Sequence, residues 1–310
     1  MQFRQLRYFV KIVEAGSFSK AALVVHVAQP ALSQQIAELE QRLGVSLLQR
    51  SARGVRPTAA GTALYKEATG LLHQLDQLPL VIRSPEDEMK GLVNLGIAIS
   101  LAPKIIGGLL EECRSALPKV NVRLSDGDSL SLANRITSTT LDLAIIYEDA
   151  LAAQVIRTPL FRQRLYVISA TPLIEGKETI TLRELADLPL VLPAPGNGRR
   201  DLIDRTFANA KLSHRVVQEA DALSSEMWAV RNEVGCTILP VGDMSHFGPH
   251  AFVKPVLIEP SMHLTCSIVR SGNLPLSGAA EALHDCLLKF MAHRSRQPDM
   301  RGLEWISTRA

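Results

Sequence analysis

The polar side chains of residues 29–34 have types and spacings suited to reading the edges of nucleic acid bases. Gln29, Ser33 and Gln34 lie within two helical turns and would point away from the apolar face of one helix. Serine and glutamine both donate and accept hydrogen bonds, and glutamine can form two with an adenine in the major groove of DNA. The alternative is a solvated helix face without a partner.

The first 61 residues also carry a positive charge that the remainder of the chain lacks. They contain eight lysines and arginines and three glutamates, a balance of +5, whereas the whole chain has a net charge of +3. A local positive field favours binding of a polyphosphate such as double-stranded DNA. Arg50, Arg53 and Arg56 surround Gly54, as expected of a short basic turn. For Arg50 the alternative is a salt bridge that holds this turn in place.

Apolar residues at helical spacing predict three short helices that position these polar groups. The first ends at Gly16, and Ser17 or Ser19 can cap the second. Pro30 suits the first turn of the third helix, which ends at Gly44. The residues predicted to face the core are Phe3, Leu6, Phe9, Val10 and Val13 in the first helix, Phe18, Ala21, Ala22 and Val25 in the second, and Leu32, Ile36, Leu39 and Leu43 in the third. Two helices joined by a short turn, the second with polar tips, form a helix-turn-helix.

A series of short motifs runs through the same segment. They are Ala21-Ala22, Gln29-Pro30-Ala31-Leu32-Ser33-Gln34-Gln35-Ile36, Leu39-Glu40, Leu43-Gly44, Leu47-Leu48-Gln49-Arg50 and Thr58-Ala59-Ala60-Gly61. In order and spacing they resemble the winged helix-turn-helix of the LysR-type transcriptional regulators. A weaker resemblance continues to about residue 295.

The resemblance implies a DNA-binding domain at 1–58, in which four residues meet the major groove of double-stranded DNA and two meet phosphates or the minor groove from the wing. The four are Gln29, Pro30, Ser33 and Gln34, and the two are Arg50 and Arg53. The chain departs from the family pattern at Leu48, where a phenylalanine is common, and at Gln34, where an arginine is common. Because arginine pairs with guanine and glutamine with adenine, Gln34 favours adenine contacts.

A linker helix and hinge are predicted at 59–89. The helix has apolar residues spaced alternately by four and three, the seam of a coiled coil: Leu64, Ala68, Leu71, Leu75, Leu78 and Ile82. Pro79 predicts that the helix ends or kinks near Leu78. The seam predicts self-association into a dimer or tetramer, and the alternative is packing against its own chain.

Beyond residue 90 strands and helices alternate, which predicts an α/β effector-binding and oligomerisation domain at 90–296. One lobe would comprise residues 90–161 and 266–296 and the other residues 162–265, followed by a polar tail at 297–310. The resemblance implies the same mixed fold. It consists of an N-terminal all-α winged helix-turn-helix, a linker helix, and a periplasmic-binding-protein-like effector domain of two lobes.

Ligands of such lobes bind at the carboxyl ends of the strands. Six candidate residues lie there: Ser100, Gly127, Ser129, Tyr147, Asn197 and Arg199. Helix starts suit an anion, and the resemblance places effector contacts at these positions, so a small anion is the expected effector. Asp128 argues against an anion. For Ser100 and Ser129 the alternative is N-capping of a helix, for Arg199 a cap or salt bridge, and for Tyr147 support of the cleft wall.

The composition of the chain limits which other classes of protein it could belong to. At 310 residues, with 46% hydrophobic and 21% charged residues, the chain has the composition of a globular protein of two or three domains. It shows neither the apolar core of a signal peptide nor a run long enough for a membrane span, so a cytoplasmic location without a membrane partner is expected. Cys113 and Cys286 are interpreted as buried thiols, and no metal or cofactor is expected. His246 and His250 lack identifiable co-ligands, and no nucleophile motif indicates an enzyme.

The expected function is therefore a cytoplasmic, homo-oligomeric regulator whose operator binding or promoter activation is modulated by a small effector. The resemblance adds RNA polymerase as a further partner. The alternative is a small-molecule-binding or sequestering protein whose basic helical head docks a protein. DNA binding should weaken steeply with salt, which distinguishes the two.

Overall fold

The chain divides into two compact units. One comprises residues Met1–Ser84 with Ser138–Thr140, and the other Pro85–Thr137 with Leu141–Ala310. The computed structural model describes residues 1–51, 54–81, 90–148, 155–170, 176–240, 255–297, 300 and 302–306, with the backbone alone at 74, 77 and 79–81.

The described part of the N-terminal unit is helical apart from a two-stranded wing. Its elements are α1 (Phe3–Ala15), α2 (Phe18–Val24), α3 (Gln29–Leu43), β1 (Leu48–Ser51), β2 (Gly54–Pro57) and α4 (Ala59–Val81), and β1 and β2 pair antiparallel. Gly16 and Gly44 adopt the left-handed conformation after α1 and α3, as the predicted helix ends require. Ser17, rather than Ser19, caps α2, and Pro30 lies in the first turn of α3. The predicted helix-turn-helix is confirmed.

A small apolar core holds these helices together. The predicted residues that it buries are Leu6, Phe9, Val10, Phe18, Ala21, Ala22, Leu32, Ile36 and Leu39, with Val13 and Val25 packed against it. The predictions for Phe3 and Leu43 are wrong, since these side chains are 56% and 40% exposed. Each is the terminal residue of its helix, where the neighbouring helices no longer cover it.

The predicted seam of α4 divides between two environments. Ala68 is buried in the core of the N-terminal unit together with Leu72, and Leu64 packs against that core. Leu71 and Leu78 are instead 44% and 51% exposed. Packing against its own chain therefore accounts for Leu64 and Ala68, while Leu71 and Leu78 remain exposed in the chain by itself.

Several predictions fall on the end of α4 or outside the described residues. The helix is described to Val81, two residues past Pro79, so it extends slightly beyond the predicted end near Leu78. The predictions that lie outside the described residues are those for Arg53, Ile82, residues 82–89 of the predicted linker helix and hinge, His246 and His250.

The first lobe of the second unit is built on a six-stranded sheet with the order β14-β6-β13-β5-β3-β4. Its elements are β3 (Gly91–Ala98), α5 (Ala102–Ala116), β4 (Val120–Gly127), α6 (Ser129–Thr137), β5 (Leu143–Glu148), β6 (Val155–Arg164), β13 (His263–Ser271), α10 (Gly278–Arg294) and β14 (Leu303–Trp305). β4 and β5 run parallel to β3, on either side of it. The predicted βαβαβ order is confirmed.

The second lobe contains the elements between β6 and β13. They are β7 (Tyr166–Ile168), β8 (Thr179–Thr181), α7 (Leu182–Ala186), β9 (Pro189–Leu192), α8 (Gly198–Asn209), β10 (Arg215–Glu219), α9 (Leu223–Arg231), β11 (Thr237–Leu239) and β12 (Val256–Glu259). Four strands form a sheet ordered β11-β7-β12-β8, and β9 and β10 pair parallel. A parallel bridge between Leu190 and Cys236 connects β9 to the start of β11.

The limits of the first lobe differ from those expected. β6 extends to Arg164 and β13 begins at His263, so both strands of this sheet pass the predicted limits at 161 and 266. The prediction of a polar tail at 297–310 is corrected in part. Leu303–Trp305 pairs with β6 as an edge strand, and both terminal residues of that strand pack on the core. Three residues carry no periodic signal of their own, and only pairing makes them a strand.

Candidate nucleic-acid interface and ligand cleft

The exposed face of α3 carries the four residues predicted to meet DNA bases. Gln29, Pro30 and Gln34 are exposed, and Ser33 is partly exposed. No side chain caps this helix, and its first turn contains no acidic residue. A helix start without such groups keeps the partial positive charge of its amides and suits a phosphate.

Arg50 on β1 bridges the wing and α3. Its Nη2 donates a hydrogen bond to the Ser33 hydroxyl at 3.0 Å, and its guanidinium carbon lies 4.2 Å from the centre of the Phe18 ring. No carboxylate in the described part of the chain pairs with this guanidinium, so the alternative of a salt bridge is wrong. The structure therefore holds an uncompensated cation beside the polar face of α3.

Backbone contacts fix the wing against the helices. Gly54 has a φ of 114°, and a Cβ at this position would lie 2.7 Å from the Gly16 carbonyl oxygen. Only glycine permits both this backbone conformation and this close approach. On the other side, Glu40 of α3 accepts hydrogen bonds from the Leu47 and Leu48 amides at 2.7 and 3.1 Å. The wing is therefore tied to both α1 and α3.

Glu38 is a polar residue of α3 that the sequence analysis did not single out. One of its carboxylate oxygens accepts from the Gln34 amide nitrogen at 3.1 Å and the other from the Gln35 amide nitrogen at 3.0 Å. Spacings of four and three residues place both glutamines next to Glu38 on the helix surface. These spacings are the sequence signal from which the contacts of Glu38 could have been predicted.

All six predicted effector residues line one cleft in the second unit. Ser100, Gly127 and Tyr147 follow or end the parallel strands β3, β4 and β5, and Ser129 starts α6. Asn197 and Arg199 approach from the second lobe, after the carboxyl end of β9. The cavity measures about 120 Å³ and is completed by residues such as Pro240 and Leu264.

The two serines of the cleft do not cap helices. α5 has Leu101 at its N-cap without a side-chain hydrogen bond, so Ser100 is not a cap. Asp128 caps α6 by accepting from the Ser131 amide at 2.8 Å, whereas the Ser129 hydroxyl accepts from the Tyr147 amide at 3.1 Å. The N-capping alternative is therefore wrong for both serines.

Arg199 is held by a buried carboxylate. Both of its terminal nitrogens donate to Glu226, at 2.8 and 2.6 Å, and one also donates to the Ile238 carbonyl at 2.6 Å. The Glu226 side chain is 0% exposed and also accepts from the Thr237 hydroxyl. The cap of α8 is Asn197, which accepts from the Arg199 amide at 3.0 Å. The salt-bridge alternative is correct for Arg199, and Glu226 neutralises its charge.

The carboxylates of the cleft outnumber its cations. Asp128, Asp201 and Asp221 all lie on the lining, and Arg199 is the lone basic residue among the described lining residues. Asp201 and Asp221 accept from the amides of Gly196 and Ala194 at 3.3 and 2.9 Å. Because Glu226 already balances Arg199, the electrostatic environment of the cleft does not favour an anion.

Two acidic residues near the cleft, Asp201 and Glu226, were not predicted as site residues from the sequence. Asp201 is an acid in the first turn of α8, a recognisable helix-start signal. Glu226 is likewise an acid in the first turn of α9, but it follows two serines and has the sequence context of a surface residue. Only the packing of α8, α9 and β11 buries it.

Burial changes the acidity of several groups in the second unit. Burial raises the pKa of Tyr147 well above its usual value, so the phenol stays neutral at physiological pH. Burial also raises the pKa of Cys113 and of Cys236 to about 12. All four cysteines are buried, which confirms the interpretation of Cys113 and Cys286 as buried thiols.

The described residues contain no group of three or more His, Cys, Asp or Glu side chains arranged to hold a metal ion. None of the described helices is long and apolar enough to cross a membrane.

Comparison with known proteins identifies both units. The family model for "Bacterial regulatory helix-turn-helix protein, lysR family" matches residues 3–62, and the model for "LysR substrate binding domain" matches residues 86–292. The nitrogen assimilation regulatory protein nac of Klebsiella aerogenes is 33% identical over 309 residues, which cover 99% of this chain and 100% of that protein.

Two solved structures share the fold. A full-length OxyR variant from Pseudomonas aeruginosa matches with a TM-score of 0.66 at 24% identity, covering 93% of this chain and 98% of that one. Full-length CbnR complexed with its target DNA matches with a TM-score of 0.55 at 20% identity, covering 94% of this chain and 100% of that one.

Proposed function

Because the chain belongs to the LysR family of bacterial regulatory helix-turn-helix proteins, we propose that it binds double-stranded DNA through α3 and the wing. A small effector that enters the cleft changes the affinity of this DNA binding. The proposal depends chiefly on the face of α3. There Gln29, Ser33 and Gln34 are accessible beside Arg50, whose charge no described carboxylate offsets.

The α3 face offers two kinds of contact to DNA. Arg50 is suited to a phosphate, which contributes affinity without sequence information. Gln34 and Ser33 are suited to base edges in the major groove, which contribute sequence preference. When Arg50 moves to a phosphate, its hydrogen bond to the Ser33 hydroxyl is released, and that hydroxyl becomes available to the groove.

Self-association would place two such heads on one stretch of DNA. The exposed Leu71 and Leu78 on α4 are apolar groups that a second copy of the helix could cover. A two-fold dimer would then match an operator with two half-sites. The helix-turn-helix family model matches residues 3–62, and this supports the placement of the DNA on the N-terminal unit. CbnR, which has the same fold, has been crystallised with its target DNA.

The effector site of this proposal is the cleft of the second unit. That unit matches a substrate-binding family model, and the six predicted residues converge on one cavity. The anionic effector expected from the sequence conflicts with three aspartates and a neutralised Arg199. We therefore assign the cleft to a small polar effector without net negative charge, with the Ser100 hydroxyl among its hydrogen-bonding groups.

Other parts of the proposal rest on family membership alone. They are a cytoplasmic location and contact with RNA polymerase. The relative nac is a nitrogen assimilation regulatory protein, which supports a regulatory function for this chain. The alternative of a sequestering protein whose head docks a protein has no support among the matched proteins.

The test is a gel shift and footprint of the full-length protein on DNA from immediately upstream of its own gene, across a salt series. We expect a protected, two-fold-symmetric site that survives competitor DNA and weakens steeply with salt. Arg183→Ala is a matched control for Arg50→Ala, because it also removes one exposed arginine but lies in the other unit. Binding that disappears with competitor DNA would contradict the proposal.

The effector part requires a separate measurement. Ligands that raise the melting temperature of the full-length protein would be titrated against the free protein and the DNA-bound protein. Coupling requires different affinities in the two states. Equal affinities would remove the regulatory part of the proposal and leave DNA binding intact.

A further inference from the structure

Glu38 holds the side chain of Gln34, which the proposed function assigns to base edges, in one orientation. Its two carboxylate oxygens accept from the amide nitrogens of Gln34 and Gln35, at 3.1 and 3.0 Å. Gln34 and Gln35 are neighbours in α3 and each lies about one helical turn before Glu38, on the side of the helix that the core does not cover. The hydrogen bonds therefore act on the same surface that the proposed function assigns to DNA.

The chemistry of a carboxylate decides which end of each amide faces Glu38. A carboxylate can only accept hydrogen bonds, whereas a glutamine amide has a donor end and an acceptor end. The nitrogen of Gln34 must therefore face Glu38, and its carbonyl oxygen is turned elsewhere. No described residue donates to this oxygen, so Gln34 presents this acceptor, beside the second hydrogen of its amide nitrogen, to an incoming partner.

A glutamine held in this way does not treat the four bases alike. In the major groove adenine and cytosine present amino donors, while guanine and thymine present acceptors at the corresponding positions. A freely rotating glutamine could turn its amide to suit either kind. A glutamine fixed with its oxygen outward pairs with adenine or cytosine and meets an acceptor on guanine or thymine.

We propose that Glu38 is a positioning residue that determines base preference, because it presets Gln34 as a hydrogen-bond acceptor for an adenine or cytosine in the major groove. This inference rests on the proposed function. It goes beyond it by assigning specificity to a residue that itself contacts no base.

A different role for Glu38 makes different predictions. Its negative charge beside the DNA would weaken binding to every sequence equally, through the phosphates. A role in helix stability alone would change the melting temperature and leave the base preference unchanged. Base preference is therefore the informative readout, and affinity for a single DNA is not.

The experiment is a selection of bound duplexes from a random-sequence pool by the full-length protein, followed by sequencing. Glu38→Ala removes both hydrogen bonds, and Glu38→Gln keeps one acceptor oxygen. Glu14→Ala is the charge-matched control, because it removes an acid that pairs with Lys11 at 2.7 Å on α1. Gln34→Ala, alone and combined with Glu38→Ala, completes a double-mutant cycle.

We expect the unsubstituted protein to discriminate against guanine and thymine at one position of each half-site. Glu38→Ala should lower that discrimination roughly three- to tenfold, the effect of about one hydrogen bond. Glu38→Gln should recover part of it, and Glu14→Ala should leave the motif unchanged. In the Gln34→Ala background, the Glu38→Ala change should have no effect on base preference.

Two results would overturn the inference alone. One is an unchanged base preference in Glu38→Ala, and the other is an equal change with and without the Gln34 side chain. If the unsubstituted protein enriches no motif, the proposed function fails, and this inference fails with it.

Discussion

Two arginines, one in each unit, show how differently the same side chain can be used. Arg50 lies at the surface of the wing, hydrogen-bonded to Ser33 and stacked on Phe18, with no carboxylate partner in the described part of the chain. Arg199 lies in the cleft wall, 14% exposed, with both terminal nitrogens on a fully buried Glu226. The charge of the first is not offset by a described carboxylate, and the second is a structural link between α8, α9 and β11.

The contrast extends to the two sites. The α3 face is made by residues close together in the chain, and its polar groups remain accessible to solvent. The cleft is made by strand ends from distant parts of the chain, and its charged groups accept or donate hydrogen bonds within the protein. A surface built to bind a polyanion needs unpaired cations, whereas a cleft for a small polar molecule needs fixed walls.

The largest expected effect is on the stability of the second unit. Glu226→Ala leaves Arg199 without its buried partner, so we expect the free energy of unfolding to fall by about 3–5 kcal/mol. Urea unfolding followed by tryptophan fluorescence measures this, because both tryptophans, Trp228 and Trp305, belong to the second unit. Lys177→Ala, which breaks an exposed ion pair in the same lobe, is the control and should have a much smaller effect. Equal losses in the two variants would contradict the structural role of the pair.

A smaller effect is expected on self-association. Leu71→Lys and Leu78→Lys place charges on the exposed part of α4, and burying a leucine contributes about 1.5–3 kcal/mol. We expect weaker association by sedimentation velocity and, at a concentration where both proteins are monomeric, an unchanged melting temperature. Leu72→Ala is the contrasting variant, since Leu72 belongs to the core and its loss should lower the melting temperature instead. An unaltered oligomer in both lysine variants would mean that α4 is not the interface.

For Arg50 the expected effect is about tenfold in DNA affinity. Arg50→Ala should weaken binding to all DNA sequences alike. It should also reduce the magnitude of the negative slope of log K against log salt concentration by about 1, because one phosphate contact is lost. Arg183→Ala, which removes an exposed arginine of the second unit, should leave that slope unchanged. A change of base preference in Arg50→Ala, with an unchanged salt slope, would assign Arg50 to the bases instead of the phosphates.

The smallest effect is expected at the thiols. With the pKa of Cys113 and of Cys236 raised to about 12, almost none of either thiol is ionised at pH 8. Iodoacetamide should therefore leave both unmodified in the folded protein and label them only in urea, as mass spectrometry of the peptides would show. Rapid labelling of Cys236 without urea would show that its surroundings open readily.

The sequence predicted the N-terminal unit more completely than the cleft. Leu32, Ile36 and Leu39 repeat at helical spacing, so the buried face of α3 could be predicted, and Gln34 had to lie opposite. Leu43 was mispredicted because periodicity does not reveal where the covering helices stop. In the second unit the strand ends located the six cleft residues, although the sequence did not show which of their charges were already paired.

Local patterns by themselves determined the helix-turn-helix, the alternation of strands and helices, and the positions of the candidate residues, because hydrophobic periodicity and turn residues act over a few neighbours. Only the tertiary structure decided that Arg50 contacts Ser33 and no carboxylate of the described residues, that Glu226 is buried against Arg199, and that 303–305 forms an edge strand. Each of these depends on segments far apart in the chain. Burial and charge pairing arise where such segments meet, and no local pattern encodes them.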